Sequence, residues 1–390
     1  MKQRIKNLTV ILYKLLYRFV PTNKNIIIFQ SNNGRNYTGN PRYIYEEMVR
    51  QKLDKKYKCI WFLLDTSIRI PGRCKKVRNN YLLYFWYLMR GGVWVFDSRQ
   101  PLYVKKKKQT LYIQTWHGTP LKKLALDMEH MDISGDTDIH EYHRQFFVTC
   151  KEWDYLISQN QFSTEIFKSC FAFKNRPILQ IGYPRNDILI RKNRKDKIEQ
   201  YKKKLKLPMD KKIILYAPTW RDNEYSETGK YKFASKLDFD LAKEALSDEY
   251  IFIVKYHYLV SDQIDWTPYK GFVYTFDETK DIAWLYLVSD ILITDYSSVM
   301  FDYSLLHRPM FFFAYDLENY KENLRGFYFD FEAEVPGPIS QDTRQLICDI
   351  KNYKAEEWEE KYKVYHEKFN HVDDGHASEK VIDVIKKHTV

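Results

Sequence analysis

What this 390-residue chain lacks narrows its chemistry first. Its five cysteines (Cys59, Cys74, Cys150, Cys170, Cys348) are an odd number without a C-x-x-C pair. They indicate neither a disulfide framework nor a zinc site, and they fit a reducing compartment. With 13 glycines and 13 prolines there is no collagen-like or low-complexity tract. No internal repeat of solenoid period occurs. A G-x-x-x-x-G-K-S/T loop is absent, and no G-x-G-x-x-G follows the first strand. Asp136-Thr-Asp138 and Asp238-Phe-Asp240 have D-x-D form, but neither directly follows an apolar strand, so both read as solvated loop or helix-start carboxylates. No cofactor is expected, and no residue is assigned to a metal.

What is present indicates an ordered, two-domain protein. The chain is 44% hydrophobic and 17% aromatic, with 32 Tyr and 24 Phe, enough for two proper cores. A formal charge of +12 attracts polyanions, whether nucleic acid, anionic lipid or an anionic polymer, although a generally basic proteome would produce the same surplus. The only targeting candidate is the N-terminus. Its longest uncharged run, 7–13, is too short to span a bilayer, and no small-residue cleavage site follows. On a helix, Ile5, Leu8, Leu12, Leu15, Leu16 and Phe19 share a face flanked by Lys2, Arg4, Lys6, Lys14 and Arg18. Residues 1–22 thus read as a basic amphipathic helix, for an anionic membrane surface or for the protein's own core.

From there apolar strands and helices alternate. Strands are expected at 25–30, 59–64, 93–96, 111–115, 154–158 and 178–181, and residues 121–150 read as irregular and charged. A Lys/Arg-rich stretch, 193–210, marks a domain boundary. A second series follows at 213–217, 251–255, 272–275, 291–294 and 310–314, then helices from 341 onward. Continuous apolar strands separated by helices indicate parallel sheets covered on both faces. The expected α/β architecture is two Rossmann-like domains, 23–205 and 206–340, facing across a cleft and closed by C-terminal helices over 341–390.

The stretch 290–309 organises the rest. A buried strand (291–294) enters a tight turn at Asp295 and Tyr296, Ser297 is placed as an N-cap, and a helix runs from Val299 until Pro309. A capped helix start with two hydroxyls suits a phosphate or diphosphate, though any crossover helix can be Ser-capped. In open α/β sheets ligands sit at the carboxyl ends of strands. The unusual polar residues fall there: His117 after 111–115, Arg185 after 178–181, Thr219 and Arg221 after 213–217, His257 after 251–255, Ser297 and Ser298 after 291–294.

Five longer motifs carry a resemblance. They are Gln114-Thr-Trp-His-Gly-Thr-Pro-Leu-Lys-Lys123, Gly182-Tyr-Pro-Arg-Asn-Asp187, Tyr216-Ala-Pro-Thr-Trp-Arg221, Thr294-Asp-Tyr-Ser-Ser-Val-Met-Phe-Asp302, and Leu324-Arg-Gly-Phe-Tyr328 with Pro336-Gly-Pro338. In this order the chain resembles the CDP-glycerol glycerophosphotransferase family: wall teichoic acid primases and polymerases, CDP-ribitol-using relatives and capsule enzymes. The resemblance implies a GT-B-like fold and transfer of glycerol or ribitol phosphate from a CDP-activated donor to a hydroxyl of a lipid-linked polyol-phosphate or saccharide acceptor, releasing CMP. It implies a peripheral protein at the cytoplasmic face of the membrane, and no nucleic-acid partner. Donor binding carries over to His117, Gly118, Thr119, Pro120, Leu121, Arg185, Pro218, Thr219, Lys255, Tyr256, His257, Ser297, Ser298 and Asp302. Where the family often has Arg-Met-His-Tyr, this chain has Lys255-Tyr-His-Tyr258, so a bidentate fork becomes a point charge. The length, with no large extra N-terminal domain, leans towards a primase-like or short-chain enzyme.

The chemistry of these residues is consistent with that. A polyol hydroxyl needs a general base as it attacks phosphorus, and His117 suits the role. His257, Arg185 and the 297–298 turn would neutralise the diphosphate as CMP leaves. Asp302, an anion one turn after Ser298, is expected on a ribose or polyol hydroxyl. Two rival readings are a nucleotide-sugar glycosyltransferase on the same architecture and a non-catalytic basic binder of anionic polymers.

Overall fold

The computed structural model describes residues 2–129, 138–219, 225–227, 230–231, 235–255, 265–277, 280–317 and 326–389. The chain forms two compact units. Residues 1–117, 140–187 and 372–390 make the first, and 118–139 with 188–371 make the second.

In the first unit seven strands form one sheet: β1 (Asn23–Gln30), β2 (Lys58–Leu63), β3 (Cys74–Arg78), β4 (Gly91–Phe96), β5 (Leu111–Gln114), β6 (Tyr155–Ser158) and β7 (Ile178–Gln180). Their order is β3-β2-β1-β4-β5-β6-β7, and every pairing is parallel. All of β4 and β5 is buried, as sequences such as Val-Trp-Val-Phe require of a strand covered on both faces. The edge strand β3 escapes an apolar reading because it is Cys-Lys-Lys-Val-Arg, with only Val77 fully buried. Cations on a sheet edge discourage further pairing. The helix Ile139–Cys150 also corrects the irregular reading of 121–150; it buries Phe146, Thr149 and Cys150.

The second unit has β8 (Lys212–Ala217), the short hairpin β9 (Tyr225–Glu227) and β10 (Lys230–Tyr231), then β11 (Tyr250–Val254), β12 (Val273–Thr275), β13 (Ile291–Thr294), β14 (Met310–Phe313) and β15 (Ile339–Ser340). Six of these form a second parallel sheet, ordered β12-β11-β8-β13-β14-β15. The expected pair of parallel-sheet α/β domains is therefore present. Pro336-Gly-Pro338 lies beside β14, where the Phe312 N–H donates to the Pro338 carbonyl at 2.8 Å. A Cβ on Gly337 would stand 1.9 Å from the Met310 carbonyl oxygen, so the motif serves a backbone contact rather than chemistry.

The units are not the continuous spans expected from sequence. Basic helix Lys195–Lys204 belongs to the second unit, with Lys202 paired to Asp290 at 3.6 Å. The last helix, Ala377–Thr389, belongs to the first, contributing Val381, Ile382 and Ile385 to the core around Ile27, Phe29 and Trp61. Apolar surface decides membership, and sequence distance does not. Asp187 caps that last helix, accepting from the Ala377 and Ser378 N–H groups, both at 2.9 Å.

Candidate functional site

Each sheet has a switch point, where strand order reverses and two neighbouring carboxyl ends diverge. In the first unit it lies between β1 and β4, beside β5. The chain leaves β5 through Trp116, whose φ is 51°, and the indole packs against Phe171 (4.6 Å) and the His117 ring (4.2 Å). His117 Nδ1 sits 3.1 Å from the Asp97 backbone carbonyl. A carbonyl only accepts, so Nδ1 carries the proton and Nε2 keeps its lone pair. Solvent reaches His117, yet the ring is crowded by protein, and lost hydration is the main cause that lowers its pKa below 6.5; the Arg185 charge lowers it further, against the Asp97 hydrogen bond. A neutral imidazole at pH 7 is the form a base needs.

Arg185 is drawn to the same strand end. Its Nη1 donates to the His117 carbonyl at 2.7 Å, and its N–H to Asn40 Oδ1 at 3.1 Å. Asn40, in turn, donates to the carbonyls of Thr115 (3.2 Å) and Trp116 (3.0 Å). Sequence reading missed Asn40; its position just before Pro41 at a loop-to-helix junction is the only local signal. Asp97 was missed too. Its buried carboxylate accepts from the Asn32 N–H (2.8 Å) and the Ser98 hydroxyl (2.7 Å). Burial raises its pKa to about 6, with those hydrogen bonds and Arg185 opposing the rise.

In the second unit the switch point lies between β8 and β13. Thr294 Oγ1 donates to the Ala217 carbonyl and the Thr219 N–H to Asp295 Oδ1, both at 2.7 Å. Pro218 and Thr219 are thereby held beside Ser297 and Ser298, all four half-buried. Lys255 ends the adjacent strand, with its N–H on the Tyr216 carbonyl (2.9 Å) and its ammonium on the Asp277 carbonyl (3.1 Å). Gly118, Thr119, Pro120 and Leu121 are buried in this unit. The Tyr328 N–H donates to the Leu121 carbonyl (3.0 Å) and the Lys123 N–H to that of Gly326 (2.8 Å), so two of the sequence motifs pair as an antiparallel bridge. Phe327 then stacks near Tyr296, 5.7 Å between centroids.

Two expectations are corrected. Ser298, not Ser297, occupies the N-cap, and no side chain caps the helix; Ser297 Oγ is 3.5 Å from the Val299 N–H. That helix is only Val299–Tyr303, continued by one tight turn, so turn N–H groups and hydroxyls, rather than a macrodipole, are what it offers an anion. Asp302, expected on a ribose or polyol hydroxyl, is 2% exposed and close to Tyr365. Tyr256, His257 and Arg221 lie outside the described residues. Asp238 behaves as the D-x-D reading expected, capping helix Phe239–Leu246 through the Asp240 and Leu241 N–H groups. Among the described residues no His/Cys/Asp/Glu group could hold a metal. A hollow of about 800 Å³ between the 307–309 turn and helix Ala355–Phe369 contains none of these strand-end residues.

Residues 11–387 match the family model of CDP-glycerol:poly(glycerophosphate) glycerophosphotransferases. The chain is 43% identical to the teichoic acid poly(glycerol phosphate) polymerase of Bacillus spizizenii (strain W23), over 97% of each chain. It is also 43% identical to that of Bacillus subtilis (strain 168), covering 96% of this chain but 51% of the longer protein. The solved structure of the wall teichoic acid polymerase TagF superimposes with a TM-score of 0.93 at 42% identity, over 99% of this chain and 94% of that one. Since a relative of matching length is a polymerase, length does not separate primase from polymerase. The chain belongs to the CDP-glycerol:poly(glycerophosphate) glycerophosphotransferase family.

Proposed function

We propose that the protein transfers glycerol phosphate from CDP-glycerol to a terminal hydroxyl of a lipid-linked glycerol-phosphate acceptor, releasing CMP. Identity of 43% to poly(glycerol phosphate) polymerases against 30% to a poly(ribitol-phosphate) polymerase supports glycerol over ribitol. The observation that carries the chemistry is His117, neutral, with Nδ1 on the Asp97 carbonyl and Nε2 open. The acceptor oxygen bonds to the phosphorus bearing glycerol, its proton passes to Nε2, and the bond from that phosphorus to the bridging diphosphate oxygen breaks, so that CMP leaves with the oxygen. Pro218, Thr219, Ser297 and Ser298 bind the donor through strand-end N–H and hydroxyl groups, and Lys255, Arg185 and His257 offset its charge. Gly118 to Leu121 shape the same donor contact.

The same proposal places the protein on the cytoplasmic face of the membrane. Helix Lys2–Leu16 docks through Tyr13, 2% exposed and 5.5 Å from the Phe85 ring, while Leu8 (68%), Leu15 (64%) and Phe19 (82%) remain exposed. Leu82, Leu83 and Trp86 of the neighbouring helix Leu82–Arg90 are exposed as well. Such apolar helix faces with flanking Lys14 and Arg18 suit the headgroup–acyl boundary of an anionic bilayer. No helix among the described residues is long and apolar enough to cross a membrane.

A donor panel tests the function. Purified protein with CDP-glycerol, CDP-ribitol and a UDP-sugar, on lipid-linked acceptors of defined length, should release CMP from CDP-glycerol alone, and product length separates single addition from polymerisation. Preference for the UDP-sugar would establish the glycosyltransferase reading instead.

A further inference from the structure

The first unit has a second notable surface at the opposite strand ends from His117. β2 begins at Lys58 and β3 at Cys74, and there Lys55, Lys56, Lys58, Arg73 and Lys75 surround a hollow of about 420 Å³. Strand rise places it about 20 Å from the carboxyl ends of the sheet. All five are exposed, and among the described residues none is in an ion pair. The one carboxylate on the wall, Asp54, is buried and already accepts from the Arg73 backbone N–H at 2.7 Å. Five cations crowded on one concavity repel each other, and an anion seated among them removes that repulsion.

The position of the hollow indicates which anion. The ammonium groups of Lys58 and Lys75 lie 5.4 and 5.7 Å from the centre of the Tyr87 ring. Tyr87 follows Trp86 on helix Leu82–Arg90, whose outer face is the exposed apolar surface described above. At the head of that helix the Arg78 guanidinium lies 5.0 Å from the ring of exposed Tyr81. The cationic hollow therefore borders an apolar face that is exposed among the described residues.

We infer that this hollow seats the phosphate headgroup of an anionic phospholipid, with the two helices at the acyl boundary; the inference rests on the membrane reading. A soluble glycerol-phosphate chain presents the same phosphodiester but has no use for the adjoining apolar face.

Sedimentation of the full chain with vesicles tests it, using phosphatidylcholine alone or mixed with phosphatidylglycerol. The wild type should prefer the mixed vesicles. Lys58→Gln/Arg73→Gln/Lys75→Gln should lose that preference, about fivefold per charge removed, while keeping wild-type thermal melting and the weaker binding to phosphatidylcholine. Lys55→Gln/Lys56→Gln reads the opposite rim should the triple variant melt early. Lys195→Gln/Lys203→Gln/Lys204→Gln, the same charge loss on the basic helix of the second unit, should keep the preference. The inference is overturned if both hollow variants retain the preference, if the second-unit variant loses as much, or if a soluble glycerol-phosphate oligomer at equal phosphate abolishes it. Equal binding of wild type to both vesicles sinks the hollow alone, whereas no binding to either sinks the membrane reading with it.

Discussion

His117 Nδ1 lies 3.1 Å from the backbone carbonyl of Asp97, the residue immediately after β4. That contact selects the tautomer, so the open nitrogen of the imidazole is the one without a proton. Replacing His117 with Ala or Asn should lower kcat by about 10² to 10⁴, with donor binding by calorimetry retained within a few-fold. The group acts when neutral and its pKa is depressed, so kcat/KM should fall on the acid side with a midpoint below 6.5. Near-wild-type turnover of His117→Ala would remove it as the base.

Asp97 makes a separate, thermodynamic prediction. Its folded pKa is raised from 3.8 to about 6, so the folded state binds its proton more tightly than the unfolded chain does. The associated stability is fully present below the unfolded pKa and is lost as pH rises through 6, a change of up to about 3 kcal/mol. Asp97→Asn carries no such charge. In urea unfolding at intervals from pH 4 to 7, the stability of wild type minus that of the variant should decline steadily; a flat difference would show that the carboxylate is not desolvated.

Asp295 is the counterpart of Asp97 in the second unit. Asn32 and Thr219 each stand two residues beyond a strand end, and their N–H groups donate to the Asp following the neighbouring strand, at 2.8 and 2.7 Å. Asp295→Ala takes this acceptor from the half-buried Thr219 N–H. It should cost about 1 to 3 kcal/mol and raise the KM for CDP-glycerol more than it lowers kcat. Asp295→Asn, which keeps an acceptor, should restore most of both.

Gly337→Ala places a methyl group 1.9 Å from the Met310 carbonyl. Backbone cannot yield as a side chain can, and a loss of about 3 kcal/mol is expected in chemical unfolding. A variant as stable as wild type would mean that β14 and the Pro336–Pro338 segment move apart readily.

On the membrane reading, Leu8→Ser/Leu12→Ser/Leu15→Ser should shift the full chain from the vesicle pellet to the supernatant without altering its circular dichroism. These side chains are exposed, so folding has little to lose. Unchanged sedimentation would locate membrane contact away from this helix.

Local sequence determined much of the architecture. Runs such as Ile26-Ile-Ile-Phe29 and Met310-Phe-Phe-Phe313 can be buried on both faces only as central parallel strands, and their order along the chain places His117, Arg185, Thr219 and Ser297 at carboxyl ends. Periodicity and turn chemistry act over a few residues, which is why they can be read from the chain. Tertiary structure decided what each motif residue does. Asp187 sits in a motif with Arg185, yet it caps a helix 190 positions later, and Asp302 is buried on the inward side of the helix that Ser298 begins. Asn40 and Asp97, which hold Arg185 and His117, belong to none of the five motifs. A hydrogen bond between residues 65 or 190 positions apart depends on which strands become neighbours, and no local pattern encodes that choice.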